Sequence, residues 1–458
     1  MVRFRLLFAL IVVIIYSTGA FAQQTPPVQP KIQPTPLPPQ VTLPEPEQIP
    51  SDVPNRPLTA DEAARIALNH QPSVTSAKAG VMVAEGGRSR AKSALLPSLA
   101  AAGSYTSVAS SPAGIVPGSG AASGYQLTAN IRQLIFDFNH TRDLARQASQ
   151  KLRAANANMT RVESDTVLRV KQAFYSYAQN MQLVKVNEAN VQNAQSHLAL
   201  AQARLDAGVG LPADVVRAQT AVADAIFSLN LARNAASVAG VSLAELMGID
   251  PRTPIIPQDA NEPEISSDDP AALTQQALKA RPEMAQAQAN LSAAGYSVSA
   301  AKTSNAPAIS ANTGWLQRGA DFPPGNDIVT YGIAMQWTPF DSGLTAGRVE
   351  EARGALLAAQ ADLESAKLTV TSDVSRAYLN LKTAEQRVTT SEAEVANALE
   401  ALRLVEGRYK AGLGTFMDVL DAQTAFIKAD SNKVNARFSV DQARSALAHA
   451  IGQPLQNQ

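Results

Sequence analysis

The chain has 458 residues, 39 basic and 39 acidic side chains, and no cysteine. Balanced charge gives no broad field to attract nucleic acid or anionic lipid, so no nucleic-acid partner is expected. Without a thiol there is no disulfide framework, thiolate metal site, cysteine nucleophile or lipid anchor on an N-terminal cysteine.

Arg3 and Arg5 precede the apolar run Leu6 to Tyr16, and Ala20-Phe21-Ala22 supplies small residues for cleavage. Residues 1–22 therefore read as an export signal, because about eleven apolar residues are too few for a retained helix, which needs roughly 20. No later uncharged apolar run has spanning length, so a mature chain held in a membrane would sit there as strands of a closed barrel. Residues 23–57 carry 12 of the 28 prolines, a composition that favours extended polyproline structure and reads as a tether.

From Leu58 onward the sequence nearly repeats itself, which sets the fold before any single element does. An offset of 210 residues lays Ala67-Leu68, Pro72 and Pro97 on Ala277-Leu278, Pro282 and Pro307. Past the middle of each half the offset becomes 204. It then pairs Phe136-Asp137 with Phe340-Asp341, Ala207-Gly208 with Ala411-Gly412, and Ala218-Gln219-Thr220-Ala221 with Ala422-Gln423-Thr424-Ala425. The extra residues of the first half fall in the Gly-, Ser- and Pro-rich stretch Pro112 to Gly124, as a surface loop tolerates. Two repeats are thus expected, residues 58–250 and 270–458, joined by a proline-rich linker over residues 251–269.

Beside that loop Tyr125, Leu127, Ala129 and Ile131 alternate with Gln126, Thr128, Asn130 and Arg132. In the second half Val329, Tyr331, Ile333, Met335 and Trp337 alternate with smaller or polar residues in the same way. Period-two patterning predicts one strand hairpin per half, apolar on one face and polar on the other, as in a membrane barrel with a wet lumen. A soluble sheet would carry the same alternation. Four strands cannot close a barrel, for which about eight is the practical minimum, so other subunits must complete it.

Proline-free helical runs follow, from about Asn139 to Leu205 and from about Gly343 to Lys410. Val374, Leu381, Val388, Val395, Leu402 and Tyr409 recur every seventh residue, and Val170, Tyr177, Val184, Val191, Leu198 and Leu205 do so in the first half. Sustained heptads predict coiled coils. Gly208 and Gly412 mark the helix ends, and new helices restart at Pro212 and at Thr415, which forms a capping pair with Asp418. Each half reads as a strand hairpin followed by a long antiparallel helical hairpin, a mainly α fold with β.

Landmarks recur in order: Leu58-Thr59-Ala60-Asp61-Glu62-Ala63, Leu95-Leu96-Pro97-Ser98-Leu99, Phe136-Asp137, and Arg408-Tyr409-Lys410-Ala411-Gly412 through Asp418-Val419-Leu420-Asp421-Ala422. In these the chain resembles the TolC family of outer-membrane efflux channels, from Leu58 to Gly452. The resemblance implies a homotrimer whose strands form one twelve-stranded barrel in outer-membrane lipid, continued into the periplasm by an α-helical tunnel. It implies a passive exit duct of a tripartite efflux pump or type I secretion system, serving a periplasmic adaptor (membrane fusion) protein and an inner-membrane transporter. A structural or adhesive coiled-coil protein of the envelope would use the heptads but has no need of the strand hairpins.

By the same resemblance Asp418 and Asp421, three apart on one helix face, match the channel constriction, though they also complement a helix N-terminus. Asp214 and Tyr409 match a closed-state latch, where Tyr409 also continues the heptad and would pack. Arg204, Gly208, Arg408 and Gly412 lie at the tips expected to face the adaptor, where a charge at a helix end is equally ordinary. The family's gate arginine is here Gly414, and Arg217 stands where a second aspartate would be, so the closing network must differ in detail. His70, His140, His197 and His449 have no metal-ligand spacing and adjoin no serine-nucleophile motif. Surface or capping roles are expected of them, and no catalytic residue, metal or cofactor.

Overall fold

The computed structural model describes residues 56–107, 124–258, 262–264 and 269–453. The expected signal, nearly all of the proline-rich tether and the variable loop lie outside them. In chain order the elements are α1 (Ala60–His70), α2 (Pro72–Ser93), β1 (Ser98–Thr106), β2 (Gly124–Phe136), α3 (His140–Asp206) and α4 (Pro212–Met247). The second half repeats them as α5 (Pro270–Ala280), α6 (Pro282–Lys302), β3 (Ala308–Gly319), β4 (Asn326–Gln336), α7 (Leu344–Lys410) and α8 (Phe416–Ala450).

Local chemistry explains where each element starts. Thr59 and Glu62 close a reciprocal cap on α1: the Glu62 amide donates to Thr59 Oγ1 at 3.2 Å and the Thr59 amide to Glu62 Oε2 at 3.0 Å. Pro72 and Pro282 force the preceding Gln71 and Arg281 into extended backbone, which breaks α1 from α2 and α5 from α6. Asp137 accepts from the Thr141 amide at 2.7 Å and Asp341 from the Thr345 amide at 2.8 Å, so the repeated Phe-Asp pair caps the two long helices. Hydrogen bonds from Thr345 hold the Asp341 carboxyl below its ordinary range.

The strands form one antiparallel sheet ordered β1-β2-β3-β4, so β2 and β3 join the two hairpins. Leu99, Ile131, Thr313 and Tyr331 lie in one cross-strand row, and the neighbouring row Ala100, Asn130, Gly314 and Thr330 turns to the other face. The first face is apolar and open: Leu99 is 71% exposed and Tyr331 87%.

Both α3 and α7 have 67 residues, about 100 Å of helix. Val374, Leu381, Leu402 and Tyr409 are buried at the heptad positions of α7, and Val170 and Val191 at those of α3. The return arms are shorter than the expected long hairpin, 36 residues in α4 and 35 in α8. The remaining length of α3 is flanked by α2 and α6, helices that precede the strands. Their existence is a correction to the reading of each half as a strand hairpin plus a helical hairpin.

The core sits where these arms end. Leu58, Ala63, Ala67, Val170, Phe174, Leu243 and Met247 pack together at the middle of α3, and Leu273, Ala277, Val370, Val374, Leu447 and Ile451 at the middle of α7. Gly248 ends α4 with φ +73°, and a Cβ there would lie 2.7 Å from the carbonyl carbon of His70. Glycine is therefore required twice over, by the left-handed backbone and by the approach of α1. A parallel bridge between Leu58 and Pro257 ties the segment between the halves to the start of the first.

Candidate functional site: the paired helix turns

The turns α3–α4 and α7–α8 share one backbone. Gly208 has φ +76° and Gly412 φ +75°; the Val209 amide donates to the Arg204 carbonyl at 3.0 Å, and the Leu413 amide to the Arg408 carbonyl at 2.8 Å. These bonds satisfy the last carbonyls of the long helices, as a glycine-terminated helix end does.

Side chains then separate the two turns. Arg204 points across to the second half, where its Nη1 donates to the Tyr409 carbonyl at 2.8 Å and the Lys410 carbonyl at 3.1 Å. Its guanidinium carbon lies 4.8 Å from the Tyr409 ring centroid. One arginine thus caps the negative end of α7 and stacks on its last aromatic residue. Arg408, its counterpart, is exposed and donates to the Leu413 carbonyl of its own turn at 3.4 Å.

Tyr409 is buried among Ala201, Val215, Ala218, Phe416 and Val419, so one side chain of the second half packs on both halves. Its hydroxyl donates to Asp214 Oδ2 at 3.5 Å, the outer limit of a hydrogen bond. Burial, and then the charge of Asp214, push the Tyr409 hydroxyl pKa up. Asp214 is itself buried and sits 3.6 Å from Arg217 Nη1. One side chain therefore both packs across the two halves and touches Asp214.

Asp418 and Asp421 are exposed in this chain. Asp418 Oδ2 accepts the Thr415 amide at 3.0 Å while its own amide donates to Thr415 Oγ1 at 3.2 Å. Hydrogen bonding to the Thr415 backbone holds its carboxyl below the ordinary value. Asp421 shares that face without such a cap. A Cβ built on Gly414 would lie 3.3 Å from Arg408 Cβ, so this position sits close against the last turn of α7.

Two groupings escaped the sequence reading. Lys171 Nζ lies 2.6 Å from Glu262 Oε1 and 2.7 Å from Asp61 Oδ1, the Tyr175 hydroxyl donates to Glu262 Oε2 at 2.6 Å, and the Glu262 amide donates to Asp441 Oδ1 at 3.0 Å. Burial opposes the Lys171 charge, and the two carboxylates overcome it and hold the ammonium pKa up. This cluster pins part of the inter-half segment to α1, α3 and α8. The other is His197, expected at the surface but buried, with Nε2 3.6 Å from Glu406 Oε1 of α7.

Comparison with known proteins follows the same outline. The sequence profile of the family described as Outer membrane efflux protein matches residues 63–249 and 273–453, both halves. The Outer membrane efflux protein BepC of Brucella suis biovar 1 is 26% identical over 402 residues, covering 86% of this chain and 85% of its own length. The Probable efflux pump outer membrane protein TtgC of Pseudomonas putida is 26% identical over 349 residues, 73% of this chain and 70% of its own. The crystal structure of the outer membrane protein VceC of Vibrio cholerae shares the fold, with a TM-score of 0.76 at 22% identity over 87% of this chain and 97% of that one.

Proposed function

We propose a function on one premise: this chain belongs to the outer membrane efflux protein family. It is an outer-membrane channel protein with a periplasmic helical tunnel, and not an enzyme. Our reading adds that three copies make the channel, that their strands close one twelve-stranded barrel in outer-membrane lipid, and that the chain is the passive exit duct of a tripartite pump or type I secretion system.

The observation that carries this is the sheet itself. Among the described residues it has four strands, two unpaired edges at β1 and β4, an exposed apolar row, and a polar row behind it. Exposed edges and exposed apolar rows are both unstable in water, and a barrel built from several copies in lipid removes both at once. The helices repeat the pattern: α2 packs on α3, α3 on α6 and α6 on α7, and toward the turns α4 packs on α3, α3 on α8 and α8 on α7. Both rows end on α7, which exposes Leu357, Leu368, Leu379, Leu399 and Leu404, and begin on α2 or α4, which expose Met82, Phe227, Leu231 and Val238. A neighbouring copy covers each end by joining α7 to the next α2 and α4.

In that assembly the turns close the periplasmic end. Asp418 and Asp421 form stacked acidic rings at the constriction, of the kind that selects cations. Asp214 and Tyr409 act as the closed-state latch. Gly208, Gly412, Arg408 and the backbone around Arg204 form the tips where a periplasmic adaptor and, through it, an inner-membrane transporter engage. Residues 251–269 link two repeats, 58–250 and 270–458, preceded by an export signal over 1–22 and a tether over 23–57. The test is mass determination on detergent-extracted mature protein beside alkali washing of outer membranes. A trimer that stays with the membrane is expected; a monomer released by alkali would contradict the reading.

A further inference from the structure

Three of the four histidines sit where the first half meets the second. His140 Nδ1 lies 2.8 Å from the Ala300 carbonyl of α6, His449 Nε2 lies 3.0 Å from Asp165 Oδ1 of α3, and His197 Nε2 lies 3.6 Å from Glu406 Oε1 of α7. The third differs from the other two. It is 9% exposed, and its Nε2 makes no hydrogen bond among the described residues. A cavity of about 580 Å³ opens beside it between α4 and α8, walled by Ala194, Ala218, Phe416 and Leu420. Gln423, 5% exposed, lines the same cavity, and neither polar atom of its amide has a partner among the described residues. Orphaned polar atoms around a space of this size are what a few waters satisfy, and such waters carry a proton to the imidazole.

Distance decides what protonation does. A neutral imidazole either turns a lone pair toward the Glu406 carboxylate or donates across 3.6 Å, which is too far for a hydrogen bond. An imidazolium attracts the same carboxylate through its charge at that separation, and more strongly away from bulk water. The surrounding charges nearly balance: from α4 Arg217 and Asp224, from α8 Lys428, and from α7 Glu406, which also touches Lys410 at 3.5 Å. Arg217 is engaged by Asp214, so the carboxylate in contact is the governing partner. Arg204, two turns further along α3, is spent on the α7 carbonyls.

We propose that His197 is a proton-operated pin between the two halves, which ion-pairs with Glu406 when the periplasm is acid and so holds the α3–α4 and α7–α8 turns together. Imidazole is the side chain that ordinarily changes charge between pH 5 and 8. The Asp418 carboxyl, already held low by its cap, stays charged throughout that window. This rests on the reading of the turns as the closed end of a channel.

The test exploits the absence of cysteine. Spin labels on Val209→Cys and Leu413→Cys, both exposed turn residues, report the separation of the two turns in the full-length protein. Between pH 7.5 and 5.5 the population with separated turns should fall about fivefold, the size of a modest coupling between sites. His197→Asn and Glu406→Gln should each abolish that change. A pH response that persists in both variants, or is missing from the parent protein, overturns the pin. Single-channel recording over the same pH range separates the two readings: turns that close on acidification without a fall in conductance keep the pin and overturn the turns as the channel's closed end.

Discussion

The α3–α4 and α7–α8 turns begin from one backbone and end with opposite chemistry. In the first, Arg204 folds inward onto Tyr409 and the helix restarts at Pro212, with Asp214 buried and paired to Arg217. In the second, Arg408 stays outside, the helix restarts on the Thr415–Asp418 cap, and Asp418 and Asp421 stay exposed. Duplication preserved what the backbone needs, the left-handed glycine and the Val209 and Leu413 amides bonded back to the Arg204 and Arg408 carbonyls. Side chains that face away from that backbone were free to diverge, and they divide into a lock on one turn and a charged rim on the other.

Breaking the lock side should have the largest effect. Arg204→Ala removes two charge-assisted hydrogen bonds and the stacking on Tyr409, and should cost about 3 kcal/mol in chemical denaturation. Arg408→Ala should stay within about 0.5 kcal/mol, as surface changes do. Equal costs would mean the turns are not divided as described.

Glycine substitutions sharpen the contrast next. A Cβ on Gly210 would lie 2.6 Å from the Leu205 amide nitrogen, against 3.3 Å from a side-chain carbon for Gly414. Gly210→Ala should therefore cost about 2 kcal/mol and Gly414→Ala less than about 1 kcal/mol, compared by thermal unfolding.

On the rim side, Asp418→Asn with Asp421→Asn should leave folding nearly unchanged and shift the reversal potential toward non-selectivity in planar bilayers. An unchanged reversal potential would put those carboxylates away from the constriction.

The smallest effect is one of pH. Because the folded protein holds the Asp418 carboxyl below its ordinary value, its cap is complete above about pH 4 and is lost as pH falls through the lowered value. Acid unfolding should begin at slightly higher pH than in Asp418→Asn corrected for its own baseline; coincident curves would show that the cap contributes nothing.

The long helices were legible because Val374, Leu381, Leu402 and Tyr409 keep one period over a long run and all end up buried. So were the strands, whose alternation survives as two faces of the sheet. The helices before the strands were not, and α2 shows why: in its 22 residues only Val74 is buried, so no stripe marks a partner face. At the turns the glycines and the Thr415–Asp418 pair are local and could be read. The contact of Arg204 with Tyr409, that of His197 with Glu406, and the Lys171–Glu262 pair join residues far apart in sequence, and composition carries no trace of which charges meet.

The central claim is a channel closed at its turns by contacts between the two halves, and single-channel conductance of Tyr409→Phe combined with Asp214→Asn tests it most directly. The account predicts a folded trimer whose conductance, or leak at rest, rises above that of the parent protein because the polar latch is gone while the ring still packs. Conductance unchanged in a folded trimer would contradict it, and would leave Tyr409 a packing residue in a channel closed elsewhere.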